Sequence, residues 1–319
     1  MKLPFSKMHG LGNDFMVLNG TDEKIILSSK QVQRLSDRHR GVGFDQLLLI
    51  EKSDDPNFDF RYRIFNADGG EVEQCGNGAR CAAKFIAEQG LSQKKQWRLQ
   101  TAKNAIVVRL EENGLVTVDM GQPIFEAAEI PFITDKIAPS YDIDVAGQTH
   151  TVAVLSMGNP HAVLLVDNIN AAPVAELGAK IEMHPRFPKR VTVGFMQIIH
   201  PSSGLTEKDD MQGADERKTG MYKNIPEDFE RVCNKADRFL CKSNQIKLRV
   251  FERGTGETQA CGSGACAAVV AGIRLGLLDE KVLVSLPGGD LTIQWQGDNS
   301  SVQMTGPAEF SYEGVVDIS

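Results

Sequence analysis

Short apolar runs bounded by turn-forming residues recur along the chain and predict β-strands. The clearest of these runs lie at residues 15–18, 46–50, 60–65, 105–110 and 116–120. Helical spacing is rarer: Ser28 precedes Val32 and Leu35, which stand three residues apart, and this predicts a capped surface helix. The pattern as a whole indicates many short strands and few helices.

Two longer helices are predicted, each directly after a glycine-rich turn. The first covers residues 79–89 and ends at Gly90, and the second follows Cys261 and ends at Gly276. Glycine is the residue that most often terminates a helix. Because residues 265–273 are almost wholly apolar, we expect the second helix to lie inside its domain.

Both helices belong to an internal repeat. Shifted by 186 positions, residues 65–91 lie over residues 251–277 without a gap, and ten of the 27 positions are identical. The shared unit is Cys-Gly-x-Gly-Ala, and Gly-Asn and Gly-Phe-x-Gln segments precede it in both halves. The repeat predicts an α/β (α+β) fold of two pseudo-symmetric domains.

We expect the first domain to comprise residues 1–119 plus about 308–319, and the second to comprise 120–307. The second also carries an insertion, because Gln46 to Phe65 is 19 residues while Gln197 to Phe251 is 54. The excess of 35 lies within residues 201–243, whose second half has helical spacing. We interpret it as a peripheral addition; a lid or partner-binding element is the alternative.

Composition limits the possible partners. The chain of 319 residues has a net charge of −7, which argues against nucleic acid or an anionic membrane, since both select a basic surface. A small-molecule ligand is therefore expected. The N-terminus has no apolar signal-like segment, so a cytoplasmic protein is expected. The six cysteines lack the Cys-x2-Cys spacing of structural zinc sites, and we predict neither a metal nor a cofactor.

The candidate chemistry centres on Cys75 and Cys261, one at each repeated turn. A helix N-terminus favours an anion, so we expect the dipole to lower the pKa of each thiol. Two thiols on opposite faces of a carbon could invert its configuration, one removing a proton while the other returns one. The resulting carbanion needs preorganised donors, which backbone N–H groups beside Asn77 and Ser263 could supply. The alternative is that both cysteines are small buried residues in tight turns.

Several longer motifs resemble those of bacterial diaminopimelate epimerases. They are Met8 to Phe15 (MHGLGNDF), Gly43 to Gln46 (GFDQ), Phe65 to Gly69 (FNADG), Gln74 to Cys81 (QCGNGARC), Met157 to His161 (MGNPH), Glu252 to Gly254 (ERG) and Ala260 to Cys266 (ACGSGAC). The resemblance implies a pyridoxal-independent enzyme that interconverts LL- and meso-2,6-diaminopimelate for lysine and peptidoglycan synthesis. It also implies a homodimer, and two domains that each roll a twisted mixed sheet around a central helix.

The resemblance carries roles over to individual residues. Cys75 and Cys261 would be the acid/base pair, and His161 and Glu252 would assist them. Substrate binding would fall to Asn13, Gln46, Asn66, Gly76, Asn77, Asn159, Thr192, Glu252, Arg253, Gly262 and Ser263.

Two departures leave alternatives open. Thr192 stands where the family has asparagine, and the insertion has no counterpart in the family pattern. One alternative is a racemase of another amino acid on the same scaffold. The other, of a different class, is a thiol redox or metal-binding protein; such a redox protein would normally place its two cysteines close in sequence.

Overall fold

A computed structural model describes residues 2–72, 75–199 and 242–318. Strands dominate the described residues. The first group of elements is β1 Lys2–Gly10, β2 Asn13–Gly20, α1 Ser29–Ser36, β3 Gln46–Glu51, β4 Phe60–Asn66, β5 Glu71–Val72, α2 Gly76–Glu88, β6 Gln96–Gln100, β7 Ala105–Leu110 and β8 Val116–Asp119. The second is β9 Tyr141–Val145, β10 Gln148–Ser156, β11 Pro160–Leu165, α3 Val174–Glu182, β12 Thr192–Ile198, β13 Ser243–Glu252, β14 Gly256–Thr258, α4 Gly262–Arg274, β15 Leu278–Leu286, β16 Gly289–Gln294, β17 Gln303–Gly306 and β18 Glu309–Asp317.

Strand pairing repeats in the two halves. The first half follows the order β18-β1-β2-β3-β4-β6-β7-β8, and the second follows β9-β10-β11-β12-β13-β15-β16-β17. Both series run antiparallel, antiparallel, parallel, antiparallel, parallel, antiparallel, antiparallel. An antiparallel pairing of β8 with β17 joins them. The predicted fold of two pseudo-symmetric mixed sheets is confirmed, while the residue boundaries of the two domains stay a prediction.

A central helix packs in each half. Helix α2 lies against β1, β2, β7 and β8, and α4 lies against β10, β11, β12, β15 and β16. Every residue from Ala265 to Ala271 is buried, which confirms the prediction of an internal helix. Both helices contribute to the largest apolar cluster. None of the helices in the described ranges is long and apolar enough to cross a bilayer.

The five predicted strands and the surface helix are present. Helix α1 begins with a capping box in which Ser28 and Gln31 bond reciprocally. Helix α2 begins at Gly76, three residues before its predicted start, because Cys75 itself is the N-cap. That earlier start moves the first helical turn onto the Cys-Gly-x-Gly motif.

The strand register corrects one part of the predicted repeat. Phe15 pairs with Gln46, and His161, the counterpart of Phe15, pairs with Thr192. Thr192 and not Gln197 is therefore the structural equivalent of Gln46, so the Gly-Phe-x-Gln segments are five residues out of register. The separation to compare with the 19 residues before Phe65 is then 59, and the excess is 40.

The chain flanking the predicted insertion is well defined. Residues 200–241 lie outside the described residues, and so does the helix predicted there. The Ser243 hydroxyl donates to the Ile199 carbonyl at 2.6 Å, and Ile198 pairs with Ile246. The expectation that the ends of the insertion are close in space is confirmed. Ser243 was counted within the insertion, but it is fully buried and begins β13.

We predict that replacing residues 201–241 with a short polar turn leaves a folded enzyme. All the predicted site residues lie outside this range, and the flanking strands are already adjacent. Turnover should stay within about tenfold of the parent, a change of about 1.4 kcal/mol in the barrier. Circular dichroism and steady-state kinetics would measure both outcomes.

Ser243→Ala within the shortened chain is the matched control. It removes the hydroxyl donor to Ile199 and should cost about 1 kcal/mol of unfolding free energy. A shortened chain that folds normally but loses most of its turnover would show that the segment belongs to the active site.

Candidate active site

Cys75 and Cys261 occupy equivalent positions as the N-caps of α2 and α4. The Cys75 Sγ accepts the Gly78 N–H at 3.4 Å, and the Cys261 Sγ accepts the Gly264 N–H at 3.3 Å. Both residues are free thiols. The first N–H groups of each helix have no intrahelical acceptor, so donors surround each sulfur.

The starts of the two helices meet across the boundary between the halves. The Asn77 amide nitrogen donates to the Ala260 carbonyl at 3.1 Å, and the Asn77 Oδ1 is 3.4 Å from where a Cβ on Gly262 would lie. Met304 of β17 lies beneath both turns. These contacts bring the two predicted carboxylate-binding turns together.

Close packing, not backbone conformation, explains the glycines of these turns. We expected them to use positive φ angles, but Gly76 and Gly262 have none. A Cβ would lie 2.8 Å from the Met304 Cε at Gly76, and 2.9 Å from the Met304 Sδ at Gly262. At Gly78 it would lie 2.4 Å from the Tyr62 hydroxyl. Side chains here would separate the helix starts from the strands that support them.

Different polar groups surround the two thiols. The Asn13 Oδ1 lies 3.8 Å from the Cys75 Sγ and accepts the Asn77 amide at 3.3 Å. The Cys261 Sγ lies 3.6 Å from the Ser263 hydroxyl and within hydrogen-bonding reach of the Glu252 carboxylate. The acid/base pair is therefore chemically asymmetric despite the repeat.

Both thiols are harder to ionise than we expected from the helix dipoles. Burial raises the pKa of Cys75 to about 11, against the opposing effect of the Gly78 N–H, and Glu252 raises it further. Burial also raises the pKa of Cys261 well above its usual value, again with a contribution from Glu252. The prediction of lowered pKa values was wrong because desolvation of the thiolates outweighs the helix N-termini. Both cysteines are thiols in the empty site.

Glu252 is the carboxylate that influences both thiols. Burial raises its pKa, the Thr258 hydroxyl lowers it, and the negative charge of Asp45 from the other half raises it. The Thr258 hydroxyl donates to Glu252 Oε1 at 2.6 Å. Sequence reasoning missed Thr258, because a threonine three residues before Cys261 carries no distinctive signal.

His161 is a neutral imidazole in this environment. Burial, with the positive charge of Arg253, lowers its pKa to about 3. Its Nε2 lies 3.0 Å from the Asn159 Oδ1. Because an amide oxygen only accepts, Nε2 carries the proton and Nδ1 is left as an acceptor.

The remaining predicted residues lie at the ends of neighbouring strands. Gln46 donates to the Asn66 Oδ1 at 2.9 Å across the β3–β4 pair. The Thr192 hydroxyl accepts the backbone N–H of Arg253 at 3.3 Å, and the guanidinium donates to the Lys189 carbonyl at 3.2 Å. Thr192 thus supports the backbone that presents the exposed Arg253.

One buried cation was not anticipated. The Arg80 side chain is fully buried, its Nε donates to the Pro307 carbonyl at 3.0 Å, and no carboxylate in the described ranges pairs with it. It lowers the pKa of Cys75, although burial is the larger effect on that thiol. The described residues contain no cluster of His, Cys, Asp and Glu that could hold a metal ion.

Comparison with known proteins agrees with this geometry. The diaminopimelate epimerase family model matches residues 5–126 and 237–311. The chain belongs to the diaminopimelate epimerase family. It is 50% identical over 318 residues to a protein named diaminopimelate epimerase from Laribacter hongkongensis, with 99% of each chain covered. It is 48% identical over 316 residues to one from Ectopseudomonas mendocina, again with 99% of each covered.

Solved structures with low sequence identity share the fold. A phenazine biosynthesis protein of the PhzF family from Bacillus anthracis superposes with a TM-score of 0.64 at 15% identity, covering 99% of each chain. A hydroxyproline epimerase from Agrobacterium vitis superposes with a TM-score of 0.60 at 14% identity, covering 99% of this chain and 92% of that one. The diaminopimelate epimerase family thus uses an architecture that other proteins share.

We predict that Cys75 ionises at lower pH than Cys261 in the substrate-free protein. The thiolate is the species that reacts with iodoacetamide, and its fraction rises tenfold per pH unit below the pKa. Peptide mapping by mass spectrometry between pH 7 and pH 9.5 should show both cysteines reacting slowly near neutrality and Cys75 modified first. Faster modification of Cys261, or rapid modification of either at pH 7, would contradict the balance described above.

Proposed function

We propose that this chain interconverts LL- and meso-2,6-diaminopimelate without pyridoxal, using Cys75 and Cys261 as two bases. The observation that carries the proposal is the meeting of two cysteine-capped helix starts, one from each half. The family and the full-length relatives support the substrate. The reaction class follows from two thiols placed on opposite sides of one anion-binding position.

The proposed reaction moves one proton from one face of the α-carbon to the other. The working pair holds one thiolate and one thiol. The thiolate removes the α-proton, the electron pair of the broken C–H bond delocalises into the carboxylate, and the opposite thiol donates its proton to the other face. The products are the inverted centre and a pair with its roles exchanged, so the reverse reaction uses the same residues.

Stabilisation of the carbanion is assigned to the two helix starts. The α-proton of an amino acid is only very weakly acidic, so the carboxylate must accept the developing charge. The N–H groups of Gly76, Asn77, Gly262 and Ser263 belong to the first helical turns and would donate to it. Each preorganised donor of this kind contributes about 3 kcal/mol in measured systems.

Glu252 and His161 are proposed to hold the substrate ammonium group. Glu252 is an acceptor beside both thiols, and His161 offers the lone pair of Nδ1. An ammonium group so held would also offset the negative charge that Glu252 exerts on the thiols. Substrate binding would therefore favour thiolate formation, which burial opposes in the empty site.

Recognition of the distal end is assigned to Arg253, with Asn13, Gln46, Asn66 and Asn159 as further polar contacts. The Arg253 guanidinium is exposed, and a carboxylate can accept two parallel hydrogen bonds from it. Thr192 acts through the Arg253 backbone. This arrangement would favour a substrate with two carboxylates over a simple racemase substrate.

The wider setting is also part of the proposal. The product would serve lysine and peptidoglycan precursor synthesis, which takes place in the cytoplasm. We propose a homodimer, supported by the exposed Tyr312 and Val315 on β18, which pairs only with β1 among the described strands. The proposal includes no nucleic-acid or membrane partner.

We predict that Cys75→Ala and Cys261→Ala each abolish epimerisation while leaving the fold intact. Each change removes the base for one face, and a general acid or base typically contributes 10²- to 10⁴-fold. Conversion of LL-diaminopimelate to the meso isomer, followed by chromatography, measures the loss. Each single variant should keep proton exchange or elimination at one face.

Cys81→Ala is the matched control, because this thiol is buried in the same helix but lies outside the proposed chemistry. It should remain active. Epimerisation at the parent rate in either Cys75→Ala or Cys261→Ala would exclude the two-base mechanism.

We predict that Arg253→Lys weakens substrate binding far more than Thr192→Asn does. An ammonium group cannot reproduce the two parallel hydrogen bonds of a guanidinium. The expected effect on KM is on the order of tenfold or more for the lysine variant, and a few-fold at most for the asparagine variant, whose side chain can still accept the Arg253 N–H. Isothermal titration with diaminopimelate would check both. Parent-like affinity of Arg253→Lys would remove the distal role of Arg253.

A further inference from the structure

A network of charged side chains underlies the Gly-Asn turn of the first half. Arg38 donates to both oxygens of Asp14, at 2.9 Å and 2.7 Å, and to Asp45 Oδ1 at 2.7 Å. Lys7 reaches Asp14 from the other side. The Asp45 N–H also donates to Asp14 Oδ1 at 3.0 Å. The segment before β3 is thereby held against the start of β2.

The second oxygen of Asp45 determines how Asn13 is oriented. Asp45 Oδ2 accepts the Asn13 amide nitrogen at 2.9 Å and the Asp14 N–H at 3.2 Å. Since a carboxylate only accepts, the NH2 group of Asn13 must point to Asp45. The Asn13 Oδ1 then faces the other way, 3.8 Å from the Cys75 Sγ.

Stability alone gives this network little purpose. The Arg38 and Asp45 side chains are 54% and 46% exposed. Ion pairs at that exposure contribute about 0–1 kcal/mol to folding. What the network does provide is one fixed rotation of an amide whose two ends have opposite hydrogen-bonding character.

The second half lacks the equivalent network. In the structural register that pairs Phe15 with Gln46 and His161 with Thr192, the counterpart of Asp45 is Val191. The counterpart of Asp14 is Pro160. There His161 donates to the oxygen of Asn159, so that amide leaves its NH2 group for the site. The two repeated asparagines are thus oriented oppositely, by different partners.

We propose that Asp45, held by Arg38, is a positioning residue that fixes the Asn13 amide with its oxygen towards Cys75. The importance of this orientation for catalysis rests on the proposed function. The oxygen can accept the Cys75 S–H, and it excludes the NH2 group from the sulfur. The repeat supplies two similar cysteines, and this contact makes Cys75 the one that is held as a thiol donor.

The orientation has a chemical consequence at Cys75. A hydrogen bond accepted from S–H favours the neutral thiol, whereas an NH2 donor would favour the thiolate. The charged and titratable groups that also act on Cys75 are Glu252 on β13, Arg80 and Cys81 on α2, and Tyr62 on β4. All four remain in place when Asp45 or Asn13 is changed, so a shift can be assigned to the amide.

The first experiment is a double-mutant cycle with Asp45→Val and Asn13→Ala. Valine is the residue that the second half carries at this position. If Asp45 acts through Asn13, Asp45→Val should lower kcat/KM about tenfold in the parent and have no further effect in the Asn13→Ala background. Independent, additive losses would overturn the proposal and indicate that Asp45 meets the substrate or acts through Glu252.

The second experiment needs no substrate and therefore separates this proposal from the proposed function. The pH profile of iodoacetamide modification is measured at Cys75 and at Cys261. Asp45→Val and Asn13→Ala should both move the Cys75 profile to lower pH, because the acceptor for its S–H is lost or free to rotate. The Cys261 profile should stay unchanged or move to higher pH, since removing Asp45 makes Glu252 easier to ionise. An unchanged Cys75 profile in both variants would overturn the proposal.

Asp45→Asn and Arg38→Met complete the test. Asp45→Asn keeps an oxygen for the Asn13 NH2 group and should retain more activity than Asp45→Val. Arg38→Met leaves Asp45 without its cation and should resemble a weaker Asp45→Val. Loss of folding in Asp45→Val, followed by circular dichroism, would be checked against Asp45→Asn, and parent-like activity in both would also contradict the proposal.

Discussion

The meeting of two helix N-termini is the constraint on which the rest of this structure depends. Each terminus carries roughly half a positive charge and several N–H groups without acceptors. Asn77 bridges the two starts by donating to the Ala260 carbonyl, and Met304 packs beneath both. The β8–β17 pairing fixes the halves in this arrangement. An anion between the helices satisfies both termini, and this is why one carboxylate can be held by residues from two halves.

The same closeness makes the thiols difficult to ionise. Desolvation disfavours a thiolate more than the helix termini favour it, so the pKa values of both cysteines rise in the empty site. Glu252 adds a negative influence on both, and the buried Arg80 acts in the opposite direction on Cys75. A substrate that brings an ammonium group to Glu252 changes this balance. The site is thus inert without its ligand, which protects two nucleophilic sulfurs from side reactions.

The sequence contained enough to predict the fold class, the cysteine-capped helices and the family. Identical glycines around two cysteines 186 residues apart are a strong signal, because each Gly position is fixed by close packing against Met304 or Tyr62. The register of β12 was not predictable, since Gly-Phe-x-Gln recurs five residues away from its structural counterpart. The direction of the thiol pKa values depends on burial, and the Arg38–Asp45–Asn13 contacts depend on tertiary packing. Neither leaves a periodic pattern in the chain.

The central claim is proton exchange by two separate thiols, and incubation with LL-diaminopimelate in deuterium oxide tests it most directly. At early times the account predicts that the meso product carries one deuterium, at the inverted α-carbon. The remaining LL isomer should stay unlabelled, because the proton removed from one face is not returned to it. Mass spectrometry after chromatographic separation reads both. Meso product without deuterium, or label that enters the LL isomer as fast as the product, would contradict two-base epimerisation.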